Sequence, residues 1–164
     1  MYSTYLITGS NLGNRLEQLQ KAAEALNTFA GTITATSSVY ETEAWGKEGL
    51  PSHLNQALQL ETPLGPLALL QQIHLIEEQL GRVRQEKWGV RMIDIDIIFF
   101  EHDIIDLPQL QIPHPLMQHR NFVLAPLCEI APDFIHPLLH KTNLALLQAS
   151  DDGLRAERYP SKNR

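Results

Sequence analysis

One run constrains this chain more than any other: Ile93-Asp94-Ile95-Asp96-Ile97-Ile98-Phe99-Phe100. Its β-branched and aromatic content reads as a strongly apolar strand interrupted by two carboxylates. Alternate residues of a strand share a face, so Asp94 and Asp96 point one way while Ile93, Ile95 and Ile97 point the other. The two positions lie about 7 Å apart along the backbone. Carboxylates that close repel each other and are costly to bury without a counter-charge. A hard divalent cation such as magnesium, held by one or two carboxylates plus substrate phosphates, answers that cost. The alternative is a half-exposed strand whose carboxylates face water or pair with arginines.

The rest of the chain supplies the sheet that such a strand needs. Tyr5 to Ile7 reads as a short buried strand ended by the turn-rich Gly9-Ser10-Asn11-Leu12-Gly13. Leu16, Leu19, Ala23 and Leu26 recur at helical spacing, with Asn14 or a neighbour as cap and Gly31 as breaker. Thr32 to Tyr40 reads as one strand, Glu41 to His53 as a loop, and Leu54 to Glu61 as an alternating strand. Leu67 to Leu80 is an amphipathic helix closed by Gly81. After the Ile93 to Phe100 strand, Ile104 to Ile112 suggests a hairpin, and Asn121 to Ile130 a last helix that Pro126 would kink or start. The expected order is β-α-β-β-α-β, an α/β (α+β) ferredoxin-like antiparallel sheet with an extra hairpin, a C-terminal helix and long loops. One domain over residues 1–150 is expected, with a polar, partly frayed tail over 151–164. This plan hosts many activities and does not by itself name one.

Charge placement narrows the chemistry. Between Arg82 and Arg91, the four cations Arg82, Arg84, Lys87 and Arg91 stand against Glu86 alone, a local charge of +3 in a chain whose net charge is −6. The planar guanidinium fork suits phosphate oxygens. A basic segment running into paired carboxylates is what phosphoryl transfer from a metal-bound nucleotide requires. The segment is expected to be mobile when empty and to order around the nucleotide. The chain has no Gly-x-x-x-x-Gly-Lys-Ser/Thr loop and no Gly-x-Gly-x-x-Gly, so side chains and a metal would have to hold the phosphates. The acidic total argues against nucleic acid and against an anionic membrane surface. The one cysteine, Cys128, excludes an internal disulfide framework and reads as a small core residue. The sequence shows neither a signal peptide nor a run of apolar residues long enough to span a bilayer, so a cytoplasmic protein is expected.

Taken in order, Gly9-Ser10-Asn11-Leu12-Gly13-Asn14-Arg15, Leu54-Asn55, Glu77, Gly81-Arg82-Val83-Arg84, Trp88-Gly89, Arg91-x-x-Asp94-Ile95-Asp96, Ile112-Pro113-His114 and Arg120-x-Phe122 resemble the 6-hydroxymethyl-7,8-dihydropterin pyrophosphokinase family of folate synthesis. The resemblance covers about Tyr5 to Pro132 and is most specific from Trp88 to Ile98. It implies transfer of the β,γ-pyrophosphoryl unit of ATP to a pterin hydroxymethyl oxygen, with AMP as the other product. It implies two Mg²⁺ ions on Asp94 and Asp96, and catalytic arginines at Arg82 and Arg91. ATP contacts are implied for His74, Glu77, Arg82, Arg84, Trp88, Arg91, Ile97, His114 and Arg120. Pterin contacts are implied for Thr42, His53, Asn55 and Phe122, with His53 standing where the family commonly carries Tyr or Phe. The partners implied are the two small substrates, and a monomer is expected. Two other classes fit the bare plan: a non-catalytic regulatory module, which would not need paired aspartates, and an RNA-binding sheet, which would want basic charge and exposed aromatics.

Overall fold

The computed structural model describes residues 1–43, 52–81 and 92–160. Its elements in chain order are β1 (Tyr2–Ser10), α1 (Arg15–Phe29), β2 (Thr32–Thr36), β3 (Tyr40–Thr42), β4 (His53–Thr62), α2 (Pro66–Gln79), β5 (Asp94–Phe100), β6 (Ile105–Leu107), β7 (Leu110–Ile112), α3 (Asn121–Ile130), α4 (Asn143–Gln148) and β8 (Glu157–Arg158). The main sheet runs β5-β1-β4-β3-β8, with β2 also on β4, and the pairings are antiparallel. That is the strand order of a ferredoxin-like α/β fold: α1 and α2 are the two crossovers, and β1 and β4 lie at the centre.

Both faces of the sheet are covered. Leu6 of β1, Leu58 and Leu60 of β4, and Ile95 and Ile97 of β5 pack with Leu19 and Leu26 of α1 and Leu69, Ile73 and Ile76 of α2. On the other face, Ile7, Ala57, Ile98 and Phe99 pack with Val123, Leu124 and Leu127 of α3 and Leu146 of α4. Burial on both faces explains the apolar run Ile97 to Phe100 that ends β5. The β1–β5 register shifts between Tyr5, opposite Phe99, and Leu6, opposite Ile97. Ile98 is therefore an extra residue on β5, and the bulge lets the adjacent Ile98 and Phe99 both join the α3-side core.

Local chemistry sets the helix ends. The Asn14 side chain accepts the Glu17 N–H at 3.1 Å and starts α1. Gly81, at φ +92°, follows the end of α2, a conformation only glycine adopts without cost. No helix among the described residues is long and apolar enough to cross a membrane.

Four expectations are corrected. Thr32 to Tyr40 is two strands: Ser37 interrupts the ladder, its Oγ accepting the Ala57 N–H at 2.9 Å in place of a backbone carbonyl. The stretch from Glu41 to His53 is not wholly loop, because Glu41 and Thr42 end β3 and His53 opens β4. Asn121 to Ile130 is a helix but not the last one, and Pro126 sits in its interior. The expected frayed tail instead returns to the sheet as far as it is described, where β8 pairs with β3 and the Tyr159 N–H donates to the Val39 carbonyl at 2.8 Å.

Candidate active site

Strand direction brings the candidate residues to one end of the sheet. The C-terminal end of β1, the N-terminal end of β4 and the N-terminal end of β5 are adjacent, with Gly9 opposite both Asn55 and Asp94. On β5, Ile95 and Ile97 are buried toward α1 and α2, which turns the half-buried Asp94 and Asp96 to the α3 face. The α3 face also carries Ile7, Gly9 and Asn55 at the alternate positions of β1 and β4.

Two clefts open on either side of the carboxylate pair. The first, about 200 Å³, is lined by Ile7, Gly9, Ser10, Asn11, His53, Asn55, Asp94, Asp96, Arg120 and Phe122. The second, about 490 Å³, runs between α2 and the β6–β7 hairpin and is lined by Leu70, His74, Glu77, Ile97, Pro108 to Gln111, His114 and Pro115, again with Asp94, Asp96 and Arg120. Three of the four candidate pterin residues line the first cleft, and His74, Glu77, Ile97 and His114 line the second. The residues common to both are Asp94, Asp96 and Arg120. Thr42 lines neither; it pairs with His53 in the β3–β4 register, and its buried Oγ1 makes no hydrogen bond among the described residues. Arg82, Arg84, Trp88 and Arg91, with the expected mobility of the segment they span, lie outside the described residues. A wider groove of about 650 Å³ between Glu41, Ser52 and the C-terminal segment holds none of the candidate residues.

The first cleft presents a recognition amide. Asn55 is buried, its Nδ2 is 3.4 Å from the Thr8 carbonyl, and its Oδ1 has no partner among the described residues. A buried amide oxygen without a bond costs free energy until something donates to it. Gly9 makes room for that amide: a Cβ there would fall 2.5 Å from Asn55 Nδ2, its other neighbours being at ordinary contact distance. Beside it, Asn11 Nδ2 lies 3.4 Å from His53 Nε2. On the opposite wall the Arg120 guanidinium sits 5.5 Å from the centre of the Phe122 ring. The sequence motif Gly9 to Arg15 flagged this corner, yet the specific service of Gly9 follows only from the strand register.

The second cleft is held by polar fastenings. Glu77, buried on α2, accepts the Ile95 N–H at 2.9 Å with Oε2. Because β5 is an edge strand, that N–H has no neighbouring strand to pair with, and the Glu77 carboxylate replaces one. The His114 N–H donates to the Ile98 carbonyl at 3.0 Å, docking the His114 loop on β5. Burial holds the His114 imidazole below its ordinary range, the nearby Arg120 charge adds to that, and Asp94 opposes it. Its Nδ1 accepts the Leu116 N–H at 3.3 Å, which leaves Nε2 as the ring's other polar atom.

The carboxylate pair suits a hard cation that brings most of its other ligands with it. Asp94 and Asp96 share one strand face, and no group of three or more His, Cys, Asp or Glu side chains placed to hold a metal occurs among the described residues. Magnesium is commonly held by one or two carboxylates plus phosphate oxygens and water. Cys128 takes no part: it is half-buried, and burial pushes its thiol up to about 11.

Known proteins share both sequence and fold with this chain. A family model described as 7,8-dihydro-6-hydroxymethylpterin-pyrophosphokinase (HPPK) matches residues 5–132. The 2-amino-4-hydroxy-6-hydroxymethyldihydropteridine pyrophosphokinase of Aquifex aeolicus is 42% identical over 141 residues, covering 86% of this chain and 88% of that protein. The enzyme of that name from Bacillus subtilis is 44% identical over 127 residues, covering 77% of this chain and 76% of that protein. Among solved structures, a Plasmodium falciparum HPPK-DHPS with pteroate superimposes with a TM-score of 0.72 at 18% identity, and supports the fold alone. The match covers 90% of this chain but only 42% of that longer one. With the family model spanning most of its length, the chain belongs to the 7,8-dihydro-6-hydroxymethylpterin-pyrophosphokinase family.

Proposed function

We infer that this chain transfers the pyrophosphoryl group of ATP to the hydroxymethyl oxygen of 6-hydroxymethyl-7,8-dihydropterin in folate synthesis, releasing AMP and the pterin diphosphate. Family membership supports the activity. The observation that carries the reading of the site is the sharing of Asp94, Asp96 and Arg120 between two clefts. A group transfer from a nucleotide to a flat heterocycle needs two pockets and one charged seam between them.

In this reading the pterin lies in the first cleft. The Asn55 amide offers both a donor and an acceptor to the ring edge, and Phe122 and His53 offer faces for stacking. Thr42, beside His53, contributes main-chain contact. The ATP phosphates enter from the second cleft, with His74, Glu77, Ile97 and His114 along its wall. Arg120 covers phosphate charge at the seam. Arg82, Arg84, Trp88 and Arg91, placed in the chain between α2 and β5, are assigned to the nucleotide, with Arg82 and Arg91 on the transferring group. The pterin oxygen forms a bond to Pβ while the bond from Pβ to the α,β-bridging oxygen breaks; AMP departs with that oxygen and the hydroxyl proton passes to solvent. Asp94 and Asp96 would hold two Mg²⁺ ions, which when bound neutralise phosphate charge. The protein's own part is to orient the two substrates and supply fixed charge, the main demands of phosphoryl transfer. Both clefts are built from a single chain, so a monomer carries every described part of the site.

The test is product identity. Protein, Mg²⁺, ATP and the reduced hydroxymethylpterin should yield AMP and not ADP, and Asp96→Ala should lose turnover while keeping its fold. ADP as product, or wild-type turnover by the Asp96 variant, contradicts the reading.

A further inference from the structure

The helix that carries Phe122 does not cap itself. The residue before α3 is Arg120, whose side chain makes no capping hydrogen bond. The first N–H of the helix, that of Asn121, is instead accepted by Asp152 Oδ2 at 2.8 Å, from a residue 31 positions further along the chain. Asp152 is held in place for this: its Oδ1 accepts the Leu154 N–H at 2.9 Å, and its own N–H donates to Ser150 Oγ at 3.2 Å. Two more contacts fasten the same strap to the same turn. Asn121 Nδ2 donates to the Leu154 carbonyl at 2.9 Å, and His119 Nδ1 lies 3.0 Å from Asp151 Oδ1.

We propose that Asp152 is a positioning residue of the pterin cleft, capping α3 from outside the helix and thereby fixing Arg120 and Phe122 on the cleft wall. A carboxylate at a helix N-terminus satisfies an orphan N–H and complements the helix dipole. The turn it caps is the one that presents both side chains to the first cleft. Asp152 lies beyond residues 5–132, the part matched by the family model. The proposal rests on the assignment of Phe122 to the pterin.

The test compares three variants in the full chain. Asp152→Ala removes the cap and should raise the pterin KM by about ten-fold, the scale of a lost cap, with kcat within about two-fold. Asp152→Asn keeps one acceptor oxygen and should fall between the alanine variant and the wild type. Thr142→Ala removes the side-chain cap of α4, which accepts the Ala145 N–H at 3.1 Å away from either cleft. It should lower the melting temperature comparably and leave the pterin KM alone. A pterin KM in Asp152→Ala equal to that of Thr142→Ala overturns the proposal. Should the alanine variant fail to fold, a wild-type pterin KM in Asp152→Asn overturns it as well. A wild-type protein that makes no AMP would strike the activity itself, whereas AMP formation with an unmoved KM strikes only the role of Asp152.

Discussion

At Asn55, a side chain that most strands would expose is buried beside a cleft, its oxygen without a partner among the described residues. Glycine on the facing strand makes that possible. Gly9→Ala would put a methyl group 2.5 Å from the amide nitrogen, so the amide must shift away from the ring edge it is assigned to read. The expected result is a pterin KM raised by about ten-fold, the scale of one lost buried hydrogen bond, with the ATP KM changed by less than about two-fold. Steady-state kinetics with each substrate varied in turn checks it, and an unchanged pterin KM would remove Gly9 from the site. This reading was not available from Gly9 as a letter in the sequence, because the partner of a strand residue is set by register. The pairing of Asp94 with Asp96, by contrast, was legible at once, since it depends on strand periodicity within a single element.

Between elements, side chains do much of the fastening. Glu129 of α3 accepts the Ser38 N–H at 2.6 Å and the Tyr40 hydroxyl at 2.9 Å, and pairs with Arg158 of β8 at 3.2 Å. One carboxylate thus ties α3, β3 and β8 together. Burial pushes its acidity the other way, but the bonds from Ser38 and Tyr40 and the Arg158 charge together hold it below the usual range. Glu41 is likewise held low, first by the Ser52 hydroxyl and then by Arg15. A carboxylate more acidic in the folded state than in the unfolded one stabilises the fold above its unfolded pKa. That contribution is lost as pH falls through the folded value. Stability should therefore begin to fall near the ordinary value of 4.5 and keep falling below it. Glu129→Gln should be less stable at neutrality and show a shallower fall toward about pH 3, measured by denaturant midpoints. An identical slope in the variant would contradict this. The same scale explains which elements were hidden in the sequence. The long periodic helices α1 and α2 were legible. The break between β2 and β3 was not, because it depends on the Ser37 hydroxyl standing in for a ladder bond. The two-residue β8 and six-residue α4 are too short for periodicity to reveal.

Over the whole molecule, helices on both faces of one sheet leave its edges to be settled separately. Glu77 closes part of the β5 edge, and β8 covers β3 on the other side. With the core complete on both faces, the site falls at the end of the sheet where β1, β4 and β5 finish or begin. The −6 net charge is a property of the whole chain and says little about this end, where Arg120 faces both clefts and the basic residues 82–91 adjoin in sequence. In the proposed reaction the two substrates meet across Asp94 and Asp96. The most direct measurement is a structure of the protein with Mg²⁺, a non-cleavable α,β-methylene analogue of ATP and the hydroxymethylpterin. The expected complex has the pterin between His53 and Phe122 with its edge on Asn55, the nucleotide between α2 and the β6–β7 hairpin, and the phosphates over Asp94 and Asp96. A nucleotide bound away from those carboxylates, or both ligands in the same cleft, would contradict it.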